Sequence, residues 1–265
     1  MELEGARVLL TGASGGIGQH IARALHARGA TVIATARRSE VLEQLKAELG
    51  ERLVPVSADL SDRASVDELI AAAEGVDGFV ANAALPASGP IDDFTPEEID
   101  RALEVNLRAP IQLVRALVPG MAERGKGHVV LVSSLSGKVS TPGSGLYSAT
   151  KFGLRGFGAS LRQDLHGTGV GVTVVYPGFI HGAGMFNDAD VELPPGVGTS
   201  APDEVAAAVV SGIEDVRAEI DVAPLAMRAG TFVASIAPVT TAKIQRKLGS
   251  VDVAEQIREG QRDKR

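Results

Sequence analysis

At 265 residues, 45% hydrophobic and 22% charged, with a formal net charge of −7 and no cysteine, the chain has the make-up of one ordinary globular domain. The acidity argues against a nucleic-acid partner or general membrane-surface binding, and the missing cysteines exclude disulfides, thiolate metal ligands and cysteine nucleophiles; no metal site is expected. No apolar run reaches the roughly 18 residues of a membrane span, since the nearest, PLAMRAGTFVASIAPV, is broken by Arg228 and Pro238, and MELEGARVLL does not read as a secretory signal, so a cytoplasmic protein is expected.

In chain order, ARVLLT (6–11) reads as a strand, and GASGG then leads into the helical GIGQHIARALHARG, where Ile17, Ile21 and Leu25 make one apolar stripe. TVIATA (31–36) is the second strand and SEVLEQLKAELG a helix with Leu42, Leu45 and Leu49 on one face. RLVPVSAD (52–59), a helix over SDRASVDELIAAAEG, and VDGFVAN (76–82) follow. TPEE at 95–98 opens a long helix to about residue 124, with Thr95 as cap, Pro96 at the first helical position and Glu98 three past the cap. GHVVLVSS (127–134) is the fifth strand, LYSATKFGLRGFGASLRQDLHGTG a helix and VGVTVVYP (170–177) the sixth strand. A Gly/Pro/Asp-rich stretch (177–202) precedes EIDVA, a seventh strand, and a tail whose charged end, EQIREGQRDKR, is expected to fray.

Short apolar strands alternating with helices imply an α/β fold: a single Rossmann-like doubly wound domain with a mostly parallel seven-stranded sheet flanked by helices, over 1–222. Residues 223–265 form a C-terminal helical extension, packed on the same domain or on a partner subunit.

Glycine costs a helix about 1 kcal/mol relative to alanine, so Gly12, Gly15, Gly16 and Gly18 at the first strand–helix junction need a reason. Gly12 lets the chain turn off the strand. A bare Gly16 lets a pyrophosphate approach the main-chain N–H groups at the positive end of the helix, and Gly18 lets helix and strand pack closely. Tyr147 and Lys151, four apart in a helical pattern, share a face. A phenol titrates near pH 10, and a neighbouring cation favours its ionised form, so Lys151 can tune Tyr147 to exchange a proton with a carbonyl or alcohol. Ser134, at a strand's carboxyl end, can polarise the same oxygen, while Ser133 faces the other way. The second strand ends in Ala36, Arg37 and Arg38; no acid meets the ribose, and two guanidinium groups suit a 2′-phosphate, which favours NADP(H) over NAD(H). Asn106 lies mid-helix, where asparagine is a poor helix former; a buried side chain satisfied by backbone is the plain reading.

The spacing Thr11-Gly12-x-x-x-Gly16-x-Gly18, with SADL, ANAA (81–84), Asn106, VSS, YSATK and YPG in order along residues 5 to about 222, resembles the compact branch of the short-chain dehydrogenase/reductase family. The resemblance implies a catalytic set of Asn106, Ser134, Tyr147 and Lys151, with Asn106 holding a water in a proton relay through Lys151 and Lys151 holding the nicotinamide ribose. It implies cofactor contacts from Gly12, Ser14, Gly16, Ile17, Gly18, Asp59 (at the adenine), Leu60, Asn82, Ala83, Tyr147, Lys151, Pro177, Gly178 and Ile180, joined by Arg37 and Arg38. Two departures bear on the cofactor's grip: Ala84 stands for a glycine able to take φ > 0, and Gly182 for a threonine that holds the carboxamide.

The function expected is hydride transfer between NADP(H) and a carbonyl or secondary alcohol, against the alternative of an NADPH-binding regulatory protein without turnover. A homodimer or homotetramer pairing through the helices at 96–124 and 146–167 is implied by the family. In the tail, Leu225, Phe232, Val233, Ile236 and Val239 make an apolar face, which with Met185, Phe186 and Leu193 would wall a pocket for an apolar substrate. Among the basic residues of 177–202 only His181 could meet an anionic substrate.

Overall fold

A computed structural model of the chain describes residues 1–187, 189, 191, 193, 197–247 and 249–262. The elements run β1 (Arg7–Thr11), α1 (Gly16–Ala27), β2 (Thr31–Ala36), α2 (Ser39–Leu49), β3 (Leu53–Ser57), α3 (Arg63–Ala72), β4 (Gly78–Ala81), α4 (Pro96–Leu103), α5 (Ala109–Glu123), β5 (Gly127–Val132), α6 (Gly145–Asp164), β6 (Val170–Pro177), the short α7 (Gly184–Asn187), α8 (Pro202–Asp215), β7 (Glu219–Val222), α9 (Leu225–Ile236), α10 (Pro238–Lys247) and α11 (Ser250–Gln261). All strand pairings are parallel, in the order β3-β2-β1-β4-β5-β6-β7. The order reverses between β1 and β4, so a crevice opens there at the carboxyl ends of the strands.

Alternate strand residues feed two cores. Val8, Leu10, Val32 and Val80 meet Ile21 and Leu25 of α1, Leu42 and Leu45 of α2 and Val209 and Ile213 of α8. Leu9, Ile33, Phe79 and Leu131 face the other side, against Val66 and Leu69 of α3 and Leu113, Leu117 and Met121 of α5. A fully buried Ile21 or Leu25 contributes about 1.5–3 kcal/mol, which is why the helical stripe and the strand alternation select this register.

Thr95 caps α4 as expected: its Oγ1 accepts from the Glu98 N–H at 3.2 Å, and its own N–H donates to Glu98 Oε2 at 2.8 Å. The long helix differs from the expectation in one respect. Between α4 and α5 it widens into a π turn over Glu104–Arg108, which contains the buried Asn106. The strands expected over 52–59, 76–82 and 127–134 are each shorter at one or both ends, because their last residues peel away as the site's loops. Of the charged end, the described part differs from the expectation of fraying: it is helical through Gln261, and the Arg258 guanidinium is paired with both Asp93 and Glu255. Asp188, Asp190, Glu192 and 194–196 of the loop after β6 lie outside the described residues, as do Leu248 and 263–265.

Candidate active site

The glycines at the β1–α1 junction are used for close approach. Gly12 takes φ +70°, and a Cβ there would lie 2.8 Å from the Ala83 Cα; a Cβ on Gly18 would lie 2.1 Å from the Gly12 carbonyl oxygen. Thr11 and Asn82 lock β1 to β4 behind the turn. Thr11 Oγ1 accepts from the N–H groups of Asn82 (3.1 Å) and Ala83 (3.2 Å), and Asn82 Nδ2 donates to the Thr11 carbonyl at 3.1 Å. The N-cap Gly15 gives the first turn of α1 no side-chain acceptor, which leaves helix-end N–H groups for an anion. At Gly16 the neighbour is a loop: a Cβ would lie 2.6 Å from Ala183 Cβ, and Gly184 lies against Ile17. The loop after β6 thus packs directly on the glycine turn.

Arg37 and Arg38 are exposed beyond β2. Arg38 Nη2 donates to the Ser14 carbonyl at 2.7 Å, which draws its guanidinium toward the glycine turn. Asp59 accepts from the Ser61 N–H (2.9 Å) and Oγ (2.7 Å). Burial works to raise its carboxyl, but those bonds and the charges of Arg37 and Arg101 hold it below the usual range. Leu60 is buried beside it.

The reacting groups gather at the carboxyl ends of β5 and β6. Ser134 stands in extended conformation, accepts from the Ser136 N–H at 3.1 Å, donates to the Pro177 carbonyl at 3.4 Å and lies near enough to the Tyr147 phenol to act on it. Ser133 faces the other way, as the alternation requires, and donates to the Lys151 carbonyl at 2.9 Å. Lys151 is fully buried; its Nζ donates to the Val132 carbonyl at 3.0 Å and lies 5.5 Å from the centre of the Tyr147 ring. Lys138 anchors the loop after Ser134, reaching Asp221 at 2.6 Å and Glu219 at 3.1 Å on β7.

Electrostatically the pair departs from the expectation. Burial pushes the Tyr147 phenol up to about 12, with the Ser134 bond working against it, and burial alone lowers Lys151 to about 8. Lys151 does not hold the phenol down, because desolvation outweighs attraction and its ammonium is directed at a backbone carbonyl. Among protein groups alone, the Tyr147 phenol is neutral at pH 7.

Asn106 is a buried asparagine satisfied by backbone: its Oδ1 accepts from the Leu85 N–H at 2.6 Å and its Nδ2 donates to the Leu85 carbonyl at 2.9 Å, so the side chain braces the segment after β4. Both departures from the family motif have backbone accounts. Gly182 takes φ +73°, which a threonine would adopt only under strain, while Ala84 is not among the residues with positive φ, so nothing there calls for glycine.

Beyond Pro177, the Gly178 backbone lies against Leu135 and Met227, and Ile180 is buried and bridged to Ser200. Phe179 and Phe186 stack with ring centres 4.7 Å apart. His181 faces solvent with its Nδ1 3.0 Å from Thr199 Oγ1. The tail reaches both sides of the crevice. Gln261 Nε2 donates to the Met185 carbonyl at 3.2 Å, Gly260 packs on Ala189, and Ala254 lies by Gly143. Tyr147 itself packs on a small apolar cluster of Ala87, Phe94, Ala102 and Leu146. Sequence reasoning missed the Arg258–Asp93 pair, the Leu85 partner and the Ala183 contact; only the mid-helix asparagine gave a signal.

A parallel sheet with its switch point between β1 and β4, a glycine turn there and a Ser–Tyr–Lys group beside it define a nucleotide-dependent oxidoreductase scaffold. Residues 6–192 match the model of the short chain dehydrogenase family, and the chain belongs to that family. It is 35% identical to ketoacyl reductase HetN of Nostoc sp., over 94% of this chain and 91% of that protein. It is 37% identical to the NADP-dependent 3-hydroxy acid dehydrogenase YdfG of Escherichia coli, over 68% of this chain and 75% of that one. Among solved structures, a short-chain dehydrogenase from Streptomyces avermitilis aligns with TM-score 0.78 at 30% identity, over 93% of this chain and 99% of that one. The closed form of serine dehydrogenase complexed with NADP+ aligns at 0.72 and 32%, over 83% and 95%. No helix among the described residues is long and apolar enough to cross a membrane.

Proposed function

We propose that the protein is an NADP(H)-dependent oxidoreductase that interconverts a carbonyl and a secondary alcohol on an apolar substrate, with Tyr147 as the general acid and base. The single observation that carries this reading is the gathering of Ser134, Tyr147 and Lys151, with Ser134 acting on the Tyr147 phenol, Lys151 under the ring and an apolar cluster on its flank. The cradle of Gly12, Gly16 and Gly18, left bare where a Cβ would collide, fits a dinucleotide. Ser14, Gly16, Ile17 and the end of α1 would hold the pyrophosphate, Arg37 and Arg38 the 2′-phosphate, Asp59 and Leu60 the adenine, and Asn82, Ala83, Lys151 and Pro177 to Ile180 the nicotinamide end. NADP-dependent relatives support the same choice.

When bound, the nicotinamide supplies or takes up hydride. The chain's part is the proton and the geometry. Ser134 and Tyr147 converge on one substrate oxygen, and the neutral phenol gives that oxygen its proton as the carbonyl is reduced. Lys151 would hold the nicotinamide ribose, its ammonium kept in place by the Val132 carbonyl. Asn106 acts at one remove, by fixing the segment after β4. The tail, through Met227 and α11, walls the substrate side. The family's habit of pairing, together with the small and apolar outer row of Phe152, Gly156 and Ala159 on α6, supports a homo-oligomer.

Turnover of a panel of ketones and alcohols with NADPH and NADP+ tests the reading. Tyr147→Phe should lose 10²–10⁴-fold in rate, in round numbers, with NADPH affinity nearly intact. A Phe variant keeping more than about a tenth of the rate would refute the acid role. NADPH binding without turnover of any member would favour the regulatory alternative.

A further inference from the structure

Helix α9 is built inside out. Its inward face carries Met227, Thr231 and Ala234, the last two buried. Its outward face carries Leu225 (78% exposed), Phe232 (68%), Val233 and Ile236 (70%), and Val239 (70%) and Ile244 extend the apolar surface onto α10. At about 100° per residue, Leu225, Phe232, Val233 and Ile236 fall on one side of the helix. A water-facing helix normally shows its polar stripe, so this arrangement needs an occupant.

Charge says which occupant. From Val222 to Val251 the sequence holds no aspartate or glutamate, while Arg228, Lys243, Arg246 and Lys247 all lie there, in a chain whose formal charge is −7. All four are exposed, and among the described residues none is paired with a carboxylate. The sequence suggested that these charges interrupt the apolar run. In three dimensions they flank it: Arg228 lies at the edge of the α9 stripe, and the other three lie together near the end of α10. An apolar face of Phe, Ile, Leu and Val bordered by unpaired Lys and Arg is the make-up of a helix pair that lies in a membrane interface. A second copy of this chain fits less well, since in a two-fold contact the patch meets itself and holds no carboxylate to pair with its own cations.

We propose that α9 and α10 form a docking surface for an anionic phospholipid bilayer, with Phe232 and Ile236 entering the acyl boundary and Lys243, Arg246 and Lys247 meeting headgroup phosphates. The contact is with the bilayer's surface and does not cross it. Because the inner side of α9 touches Gly178 through Met227, docking sets the candidate site beside the lipid, where an apolar molecule would arrive. The surface stands on exposure and charge alone, so it does not depend on the identity of the substrate or on turnover.

The test is co-sedimentation of the full-length protein with vesicles of phosphatidylcholine alone or with about one-third phosphatidylglycerol. Wild type should sediment with the anionic vesicles and be released at high salt. Replacing Lys243, Arg246 and Lys247 with Gln should weaken binding roughly a hundredfold, at about fivefold per cation near the surface. Phe232→Ser with Ile236→Ser should weaken it at least about tenfold. Circular dichroism and NADPH binding should be unchanged in both variants. The chain has no tryptophan, so Phe232→Trp gives a clean emission that should shift to the blue on anionic vesicles. Wild type remaining in the supernatant, or binding both vesicles alike, would overturn the proposal. So would an oligomer that the Ser pair converts to a smaller species while vesicle binding is absent, which would assign the face to a second copy. If the Ser pair fails to fold, the Gln variant and the Trp emission decide the matter.

Discussion

Lys151→Met should make the protein more stable at neutral pH while destroying its site. Burial lowers the lysine from 10.5 to about 8. Carrying its charge in the fold at pH 7 therefore costs about 3 kcal/mol. Methionine can fill the same channel uncharged, but it forfeits the bond to the Val132 carbonyl, worth about 1 kcal/mol, so the net gain is about 2 kcal/mol. The pH dependence identifies the cause. The folded pKa lies below the unfolded one, so below pH 8 both states hold the proton and the cost is present in full. Between about 8 and 10.5 only the unfolded chain keeps it, and wild-type stability rises with pH relative to the variant. In the fold the Tyr147 phenol titrates above this window, and its unfolded-state titration near pH 10 is common to both proteins. Urea unfolding followed by far-UV circular dichroism should show the gap closing to under about 1 kcal/mol by about pH 9.5. A variant less stable than wild type at pH 7, or a gap indifferent to pH, would refute the argument that the lysine is a buried, destabilising charge kept for function.

Arg37→Ala should lower kcat/KM for NADPH by roughly ten- to a hundredfold and leave NADH nearly unchanged, the loss of one charge-assisted contact; equal wild-type values for the two cofactors would refute the assignment. Val216 ends α8 in left-handed conformation (φ 54°), which a β-branched residue adopts at a cost, so Val216→Gly should raise stability by about 1 kcal/mol, read as an upward shift in Tm. Arg258→Ala frees α11 from Asp93 and should raise KM for bulky apolar substrates severalfold with NADPH affinity unchanged; an unaltered KM would remove α11 from the substrate side.

The fold was legible because its signals are local and repeated. Ile21 and Leu25, Leu42 and Leu45, and the alternation of Leu9 and Leu10 each name a face, and Gly12 and Gly18 name a turn that no larger residue fits. The members of the site could likewise be named, since Tyr147 and Lys151 sit one helical turn apart and Ser134 ends a strand. What could not be read were relations between distant segments. Nothing near Asn106 indicates that its amide is matched to the Leu85 peptide, 21 residues earlier. The π turn over Glu104–Arg108 surrounds the residue that makes this pairing. Gly16 was legible as a place of close approach, but not Ala183 as what approaches it. The charge on Lys151 was legible, but the burial of Tyr147, which pushes the phenol up where a neighbouring cation was expected to bring it down, depends on packing that one segment does not encode.

The same bonds explain why such a site can hold its shape. Lys151 is fixed by the carbonyl that ends β5, Asn106 by the peptide after β4, and Asn82 by the carbonyl that ends β1. Each anchor is main chain at the carboxyl edge of one sheet, and the strands of that sheet are held in register by parallel pairing and by cores on both faces. A side chain tied to a neighbouring strand end cannot drift without disturbing that edge, so sheet rigidity becomes alignment of Ser134, Tyr147 and Lys151. The arrangement also divides the molecule by function. The groups proposed to handle the proton sit on the rigid edge, while the Ala183 loop and α11 beside them are attached through few contacts such as Gln261 to Met185 and Arg258 to Asp93. Changes in those contacts should therefore alter which molecules enter before they alter the chemistry performed on them.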